Sequence, residues 1–199
     1  MKKLVISLAL ALAGASAAQA QNMAPANAYP IKAVRGFVGA GLTYGGDKLA
    51  TAHYTNGGNI DLHAGGLIAL VGGVDWAVTP EFSFQASVGY HVDQASGSNG
   101  EIRFQRYPFE LLAYYKVSPQ WRVGGGVRYL TGTKLTSSGA AYLGDYKFDN
   151  SVSAVLEGEY MMSPQLGIKL RYVAEKIDNK YDGHKIDANH AGVFANFYF

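Results

Sequence analysis

Histidines and glycines are the residues whose types suit metal binding or phosphate binding. Gly124-Gly125-Gly126 is followed by no predicted helix, so it does not indicate a phosphate-binding loop. The sequence contains no cysteine, which excludes thiolate ligands and disulfides. The five histidines lie in separate segments without the spacing of metal ligands: His53, His63, His91, His184 and His190. We therefore expect no metal site and no cofactor.

Charged residues that alternate with apolar residues indicate a different chemistry, the pairing of enclosed ions. Arg122 and Arg128 alternate with apolar residues in one segment, and Lys169 and Arg171 do so in another. Alternate side chains of a strand share one face. If the apolar face contacts lipid, the charged face lines a narrow interior in which ions must pair. The residues expected there are Arg35, Asp75, Glu110, Lys116, Arg122, Arg128, Glu157, Glu159, Lys169 and Arg171.

Eight strands are predicted to position these side chains. They span about 34–44, 62–78, 82–91, 103–117, 121–130, 151–161, 166–173 and 189–199. Polar stretches rich in small residues connect some of them over about 45–61, 92–102, 131–150 and 174–188. Pro108 indicates a bulge or edge irregularity in the fourth strand, which would shift the direction of Arg106.

A four-residue motif with proline at its third position, called here the proline motif, occurs three times, about 40 residues apart, at 78–81, 117–120 and 162–165. Proline fixes φ and has no amide proton, so each copy marks a tight turn. Each copy is followed by a strand that leads into a long polar stretch. Three short turns and four long loops connect eight strands, with both chain ends on the short-turn side.

Aromatic residues occur at both ends of the apolar face, where membrane headgroups would lie. Four tyrosines end the strands that run away from the short turns: Tyr44, Tyr90, Tyr129 and Tyr172. The other rim carries Trp76, Phe82, Trp121, Tyr160 and Phe197. Eight steps of about 3.3 Å at about 40° tilt rise roughly 20 Å, close to an apolar band of roughly 25 Å. The pattern predicts an all-β fold, a transmembrane eight-stranded antiparallel up-and-down β-barrel.

The first 20 residues have the features of a secretory signal peptide. Lys2 and Lys3 precede a short apolar run, and Ala18 and Ala20 supply the small residues that a signal peptidase requires. We predict a signal peptide over 1–20, a periplasmic lead-in over 21–33 and a barrel over 34–199. The net charge of +2 is too small to indicate nucleic-acid binding.

The signal peptide, proline turns, alternating strands and terminal Phe199 together resemble the small outer-membrane β-barrel superfamily, which includes the transmembrane domain of OmpA and the OmpX/Ail and OmpW groups. The resemblance covers 34–199. It implies a location in the outer membrane of a Gram-negative bacterium, in contact with membrane lipid and lipopolysaccharide. It also implies that Phe199 is a signal for the outer-membrane assembly machinery.

Several roles remain open at this point. We expect a monomer with a structural or porin-like role, its interior filled by ion pairs. A narrow anion-preferring water path is an alternative, because cations outnumber acids six to four among the ten residues named above. Binding of an extracellular ligand or a host surface by the long loops is another. A further alternative is the transport of small solutes, including apolar compounds through a lateral opening.

A few barrels of this size modify lipid A, but this chain is expected not to be an enzyme. One family of lipid A deacylases has a His-x-Ser pair near its last strands, with the logic of a serine hydrolase. His190-Ala191-Gly192 lies at a similar place, but glycine occupies the position of the nucleophile. We assign no catalytic residue and expect His190 in the interior or at the rim.

Overall fold

The computed structural model describes residues 33–53, 59–97, 100–139, 144–181, 183 and 185–199. The predicted signal peptide and all but the last residue of the predicted lead-in lie outside this part of the chain. In chain order the strands are β1 (Val34–Gly45), β2 (Lys48–His53), β3 (Asn59–His63), β4 (Leu67–Ala77), β5 (Phe82–Gly97), β6 (Gly100–Lys116), β7 (Trp121–Gly139), β8 (Tyr146–Lys147), β9 (Ser151–Met161), β10 (Leu166–Ala174), β11 (Lys176–Asp178), β12 (Lys185–Asp187) and β13 (His190–Tyr198). Among these residues, no helix is long and apolar enough to cross a membrane.

Eight long strands close into one antiparallel barrel: β1, β4, β5, β6, β7, β9, β10 and β13. Each of them pairs with the next along the chain. The last strand pairs with the first, from Phe37 opposite Tyr198 to Gly45 opposite His190. This confirms the predicted eight-stranded up-and-down topology. Closure leaves the barrel wall without a free edge, so its backbone groups are paired between strands.

The three proline motifs form three similar turns at one end of the barrel, called here the short-turn end. In each turn a hydroxyl oxygen accepts the amide N–H of the residue three positions later. The distances are 3.0 Å for Thr79 and Phe82, 3.1 Å for Ser118 and Trp121, and 3.0 Å for Ser163 and Leu166. The hydroxyl therefore fixes the turn beside the proline, which itself donates no hydrogen bond.

Burial alternates along the barrel strands with the apolar residues outside. Leu111 is 65% exposed, whereas the adjacent Glu110 is 4% exposed. Trp121 is likewise exposed and Arg122 is buried. This is the reverse of a water-soluble protein, in which the charged residue would face outward. The exposed apolar wall is suited to a hydrocarbon environment.

At the opposite end, called here the long-loop end, the described residues form more strand than the sequence predicted. Strands β5 and β7 continue well beyond the predicted boundaries, to Gly97 and Gly139, and β6 begins three residues earlier than predicted. The predicted second strand, 62–78, is wrong at its start, because β4 begins at Leu67 and 59–63 forms a separate strand. That strand, β3, pairs with β2 in one hairpin, and β11 pairs with β12 in another.

An apolar cluster, called here the apolar cap, lies among the strand extensions and hairpins of the long-loop end. It includes Phe104 and Phe148, whose rings meet edge to face at 5.6 Å between centroids. Apolar side chains that leave water in this way stabilise the loops that carry them. Its buried members are Ala50, Leu62, Ala64, Ala95, Ile102, Phe104, Leu130, Leu135, Phe148, Ile177 and Ala188.

The irregularity expected near Pro108 lies partly on the neighbouring strand. Two residues of β7, Gly132 and Thr133, oppose the single residue Arg106 of β6. Gly132 has a φ of +63°, which favours glycine in such a bulge. The extra residue reverses the inward positions of β7, from even numbers up to Leu130 to odd numbers from Thr133 onward. Pro108 itself stays in β6, opposite Leu130.

The closed barrel predicts heat-modifiable migration in gel electrophoresis. A barrel with a fully paired wall stays folded in detergent without boiling and migrates as a compact species. The purified chain should therefore give different mobilities before and after boiling. A single mobility under both conditions would contradict the closed barrel.

Candidate functional site

The interior of the barrel is the largest assembly of polar side chains in the described residues. Its lower level, nearest the short-turn end, is organised around Arg122. This guanidinium lies 3.0 Å from Asp75 and 2.5 Å from Glu159, and it donates to the Tyr198 hydroxyl at 2.7 Å. The same hydroxyl donates to Glu159 at 2.6 Å, and Arg35 pairs with Asp75 at 2.8 Å. The level therefore joins side chains from β1, β4, β7, β9 and β13.

The middle level is organised around Lys169 and Glu157. The Lys169 ammonium lies 3.1 Å from the Glu157 carboxylate and donates to Gln85 at 2.7 Å and to Tyr114 at 2.8 Å. Glu157 also accepts hydrogen bonds from Tyr114 and Arg171. These contacts satisfy a buried ammonium with one charged and two neutral partners, as a desolvated ion requires.

Glu110 connects the middle level to the residues above it. Its carboxylate accepts two hydrogen bonds from Arg171, at 2.9 and 2.8 Å, and one from Arg128 at 2.8 Å. Two-point contact between a guanidinium and a carboxylate fixes both groups in one geometry. Arg128 in turn lies 3.5 Å from Glu175, so the network continues upward.

The upper level lies below the apolar cap and contains two histidines. Arg106 pairs with Glu175 at 3.3 Å and contacts His91 Nδ1 at 2.8 Å. The rings of His91 and His190 meet edge to face, 5.2 Å apart. His190 Nδ1 lies 2.7 Å from the Ala188 carbonyl oxygen. This level therefore places imidazoles between guanidinium groups and the first apolar residues.

A hydroxyl and an imidazole at the upper level have the spacing of a nucleophile and a base, but they lack the rest of such a site. Thr43 Oγ1 lies 2.8 Å from His91 Nε2. In a hydrolase a carboxylate at the other ring nitrogen stabilises the imidazolium. Here that position is occupied by the cation Arg106 instead of a carboxylate. Both Thr43 and His91 are buried, which closes the pair to a substrate.

The structure brings nine of the ten predicted interior charges into this network. Lys116 differs: it is half-buried at the short-turn end of β6 and has no carboxylate within ion-pair distance among the described residues. Arg106 and Glu175 also belong to the network. The cations of the network are Arg35, Arg106, Arg122, Arg128, Lys169 and Arg171, and its carboxylates are Asp75, Glu110, Glu157, Glu159 and Glu175. Asp93 is also buried and lies close enough to Arg106 to interact with its charge. With Glu175 and Asp93 included, the six-to-four excess that favoured an anion path does not persist among the described interior charges.

Glu175 was missed because the predicted seventh strand ended at Val173. The alternation of Gly167, Lys169, Arg171 and Val173 places Glu175 on the same inward face when it is extended by one step. That step was the available signal. Tyr198 was missed because the aromatic residues near the chain end were interpreted only as members of the lipid face, although alternation places Tyr198, between Phe197 and Phe199, on the inward face.

The predicted aromatic residues of the two rims lie on the outer surface. Tyr90 and Tyr160 are half-buried, because they pack against Tyr107 and Trp121 with centroids 5.4 and 5.0 Å apart. Phe199 is 59% exposed, and its backbone exchanges two hydrogen bonds with Gly36, at 3.0 and 3.1 Å. The other members are largely exposed: Tyr44, Trp76, Phe82, Trp121, Tyr129, Tyr172 and Phe197.

Comparisons with known proteins agree with this architecture. The profile of the outer membrane protein beta-barrel domain matches residues 6–199. Ail of Yersinia pestis, solved in complex with the heparin analogue sucrose octasulfate, is 12% identical over 83% of this chain and 97% of its own, with a TM-score of 0.50. OprG of Pseudomonas aeruginosa is 12% identical over 83% of this chain and 96% of its own, with a TM-score of 0.45. None of the curated proteins matches the chain in sequence.

Removal of one partner from the middle level should destabilise the barrel. Glu157→Ala leaves Lys169 buried without its carboxylate, and we expect the free energy of unfolding to fall by about 3–5 kcal/mol. Urea titration in lipid vesicles, followed by tryptophan fluorescence, measures the change. Arg128→Ala should act in the same direction, because it removes one of the cations on Glu110.

Glu101→Ala is the matched control for Glu157→Ala. Glu101 pairs with Arg103 at 2.9 Å, but both side chains are more than a third exposed. Because water replaces the lost partner, the expected loss is about 0–1 kcal/mol. Equal losses for the two glutamate variants would contradict a network of mutually dependent buried ions.

Proposed function

Because the chain belongs to the family of outer membrane proteins with a β-barrel domain, we propose that it is a non-conducting barrel that displays a folded binding surface outside the cell. The short-turn end then faces the periplasm and the long-loop end faces the exterior. The observation that carries the proposal is the apolar cap, which lies above the network of interior ions.

The interior supports the first half of the proposal. A conducting lumen needs a continuous path for water and ions, whereas eight strands leave room for little beyond side chains. Ion pairs cross the interior at each level, for example from Arg122 to Asp75 and from Arg171 to Glu110. A cavity of about 280 Å³ opens at the short-turn end, and its lining already includes Arg35, Asp75 and Arg122 of the lower level.

The cap supports the second half of the proposal. Loops that are only solvated need no buried residues, yet Leu62, Leu130 and Ile177 are fully buried. Packing of this kind holds the surrounding hairpins in one arrangement and lowers the entropy lost when a partner binds. The conformational entropy of the loops is thus lost during folding and not during binding. Other rigid scaffolds present recognition loops in the same way.

The outer surface of the cap region contains groups suited to recognition. Tyr146 and Tyr181 are exposed, at 38% and 69%. Lys48 pairs with Asp61 at 3.7 Å on the first hairpin, and Thr51 donates to the same carboxylate at 2.6 Å. Tyrosine is enriched in protein interfaces, where its ring supplies contact area and its hydroxyl a hydrogen bond. An extracellular protein or glycan of neutral or mixed charge fits this surface.

Planar bilayer recordings test the closed interior. The purified chain should give no stable conductance steps at protein concentrations at which a general porin, run as the positive control, gives them. The physical reason is that buried ion pairs at successive levels must be broken to admit ions. Regular steps from the wild-type barrel would contradict the proposal and favour a porin-like role.

Cell-adherence measurements test the binding surface. Gram-negative cells that express the chain should adhere to cultured epithelial cells better than cells with an empty vector. The double variant Tyr146→Ala/Tyr181→Ala should reduce the gain at least fivefold. Tyr172→Ala, on the lipid face, is the matched control and should leave adherence unchanged. Equal adherence of wild-type and vector cells would overturn the binding role.

A further inference from the structure

Lys116 is the predicted interior charge that the network does not pair. It lies in β6 directly opposite Arg122 of β7, so the ladder places two cations side by side. Like charges at directly opposite positions destabilise a sheet. Arg122 is satisfied by Asp75 and Glu159, whereas Lys116 has no carboxylate within ion-pair distance among the described residues. An anion beside Lys116 would therefore remove an uncompensated repulsion.

The enclosed charges of the lower level do not cancel. Its described cations are Arg35, Lys116 and Arg122, and its described carboxylates are Asp75 and Glu159. Glu81 and the carboxylate of Phe199 lie at the rim, where water screens charges, and neither is within ion-pair distance of Lys116. Residues 21–33, which precede the barrel, contain Lys32 and no acidic residue. The lower level can thus accept one further negative charge.

A cavity of about 280 Å³ adjoins Lys116 and opens at the short-turn end. Pockets that hold small molecules have volumes of about 300–1,000 Å³, so this one suits a ligand at the small end of that range. Ser83 of β5 also lines the cavity. Because Ser83 is paired with Tyr114, it is the diagonal neighbour of Lys116 on the inward face.

Ser83 supplies a second hydrogen-bond donor beside the ammonium group. Its hydroxyl oxygen accepts a hydrogen bond from Arg122 at 3.2 Å, and its own proton has no acceptor among the described residues. The Lys116 ammonium carries three protons and lies on the same wall of the cavity. Two donors on neighbouring strands therefore face the space that a ligand would occupy, and their number matches the two oxygens of a carboxylate.

The cavity also has an apolar side. Alternation places Ala77 of β4 two residues beyond Asp75, and Met161 of β9 two residues beyond Glu159, on the inward face. Ala77 and Met161 are half-buried and line the cavity. A fully hydrated inorganic anion would leave these apolar groups in water, whereas a short hydrocarbon tail would cover them. The lining therefore favours an acid that carries an apolar part.

We propose that this cavity binds a small organic acid with one carboxylate and a short apolar tail. The carboxylate accepts hydrogen bonds from Lys116 Nζ and the Ser83 hydroxyl, and the tail lies against Ala77 and Met161. One carboxylate supplies the single negative charge that the lower level accepts, whereas a phosphate group would supply about −1.5 to −2. The ligand enters from the short-turn end, the periplasmic side in the orientation proposed above. This site is separate from the binding surface at the long-loop end and does not depend on it.

Binding of hexanoate to the full barrel tests the charged half of the site. The chain is reconstituted in phosphatidylcholine nanodiscs, and ligand-detected NMR measures binding, with empty nanodiscs as the blank for partition into lipid. Lys116→Ala should weaken binding by about fivefold or more, whereas Lys116→Arg, which keeps the charge, should stay within about twofold. Lys176→Ala is the matched control, because it removes the same charge from an exposed position at the long-loop end, and should leave the affinity unchanged. Wild-type affinity in Lys116→Ala would overturn the site.

Analogues of hexanoate test the class of ligand. Hexanol lacks the charge and acetate lacks the tail, so each should bind about fivefold or more weakly than hexanoate. Ala77→Leu should fill the apolar side, weaken hexanoate and leave acetate unchanged, with heat-modifiable mobility as the check that the variant folds. Equal binding of hexanol and hexanoate would overturn recognition of an anion, and equal binding of acetate and hexanoate would overturn the apolar half. Tighter binding of hexyl phosphate than of hexanoate would overturn the carboxylate assignment.

Discussion

Ionised side chains enclosed in a narrow lumen are the constraint on which this structure depends. Eight strands leave an interior that side chains fill, and a charge held there without a partner costs several kilocalories per mole. The network satisfies this requirement because single carboxylates are shared between two cations. Asp75 receives both Arg35 and Arg122, and Glu110 receives both Arg128 and Arg171. Arg35–Asp75 and Arg128–Glu110 join paired neighbouring strands, whereas Arg122–Asp75 and Arg171–Glu110 join strands that are not neighbours. The second kind of pair specifies which strands face each other across the barrel.

Aromatic rings, and glycines that leave room for them, complete the packing between these ions. The Arg35 guanidinium lies 4.1 Å from the centroid of the Tyr198 ring, and that of Arg122 lies 4.3 Å from the Tyr114 ring. Cations placed over rings in this way gain electrostatic energy where water is excluded. The Tyr114 ring in turn occupies the space beside Gly124, where a Cβ would collide with it. The glycine run that resembles a phosphate loop in sequence thus makes room for an interior tyrosine.

Along the barrel axis, the interior changes from ion pairs within the membrane to apolar residues beyond it, because the outer surface meets lipid in the first region and water in the second. Within the membrane, the outer surface is apolar by necessity, so the interior is the place for polar contacts between strands. Beyond the membrane, the outer surface meets water, and an ordinary apolar core becomes the stable interior. The reversal occurs near the bulge at Gly132, which changes the inward positions of β7 and lets Leu135 join the cap. An interior of ion pairs within the membrane and an apolar cap beyond it are consequences of the same chain crossing this boundary.

The sequence by itself determined the features that depend on local periodicity. Alternation along each strand predicted the direction of Arg122, Glu157 and Lys169, and the proline motif predicted the three turns. Side-chain direction and turn formation are both set by neighbouring residues. The sequence did not determine the partners of these ions, since Arg106 and Glu175 are 69 residues apart and meet only when the barrel closes. It also did not reveal the cap, most of whose residues come from the segments predicted as polar loops, with others, such as Leu62 and Phe104, from the ends of predicted strands. Burial in the cap depends on tertiary contacts between four loops, and such contacts cannot be predicted from the pattern of neighbouring residues.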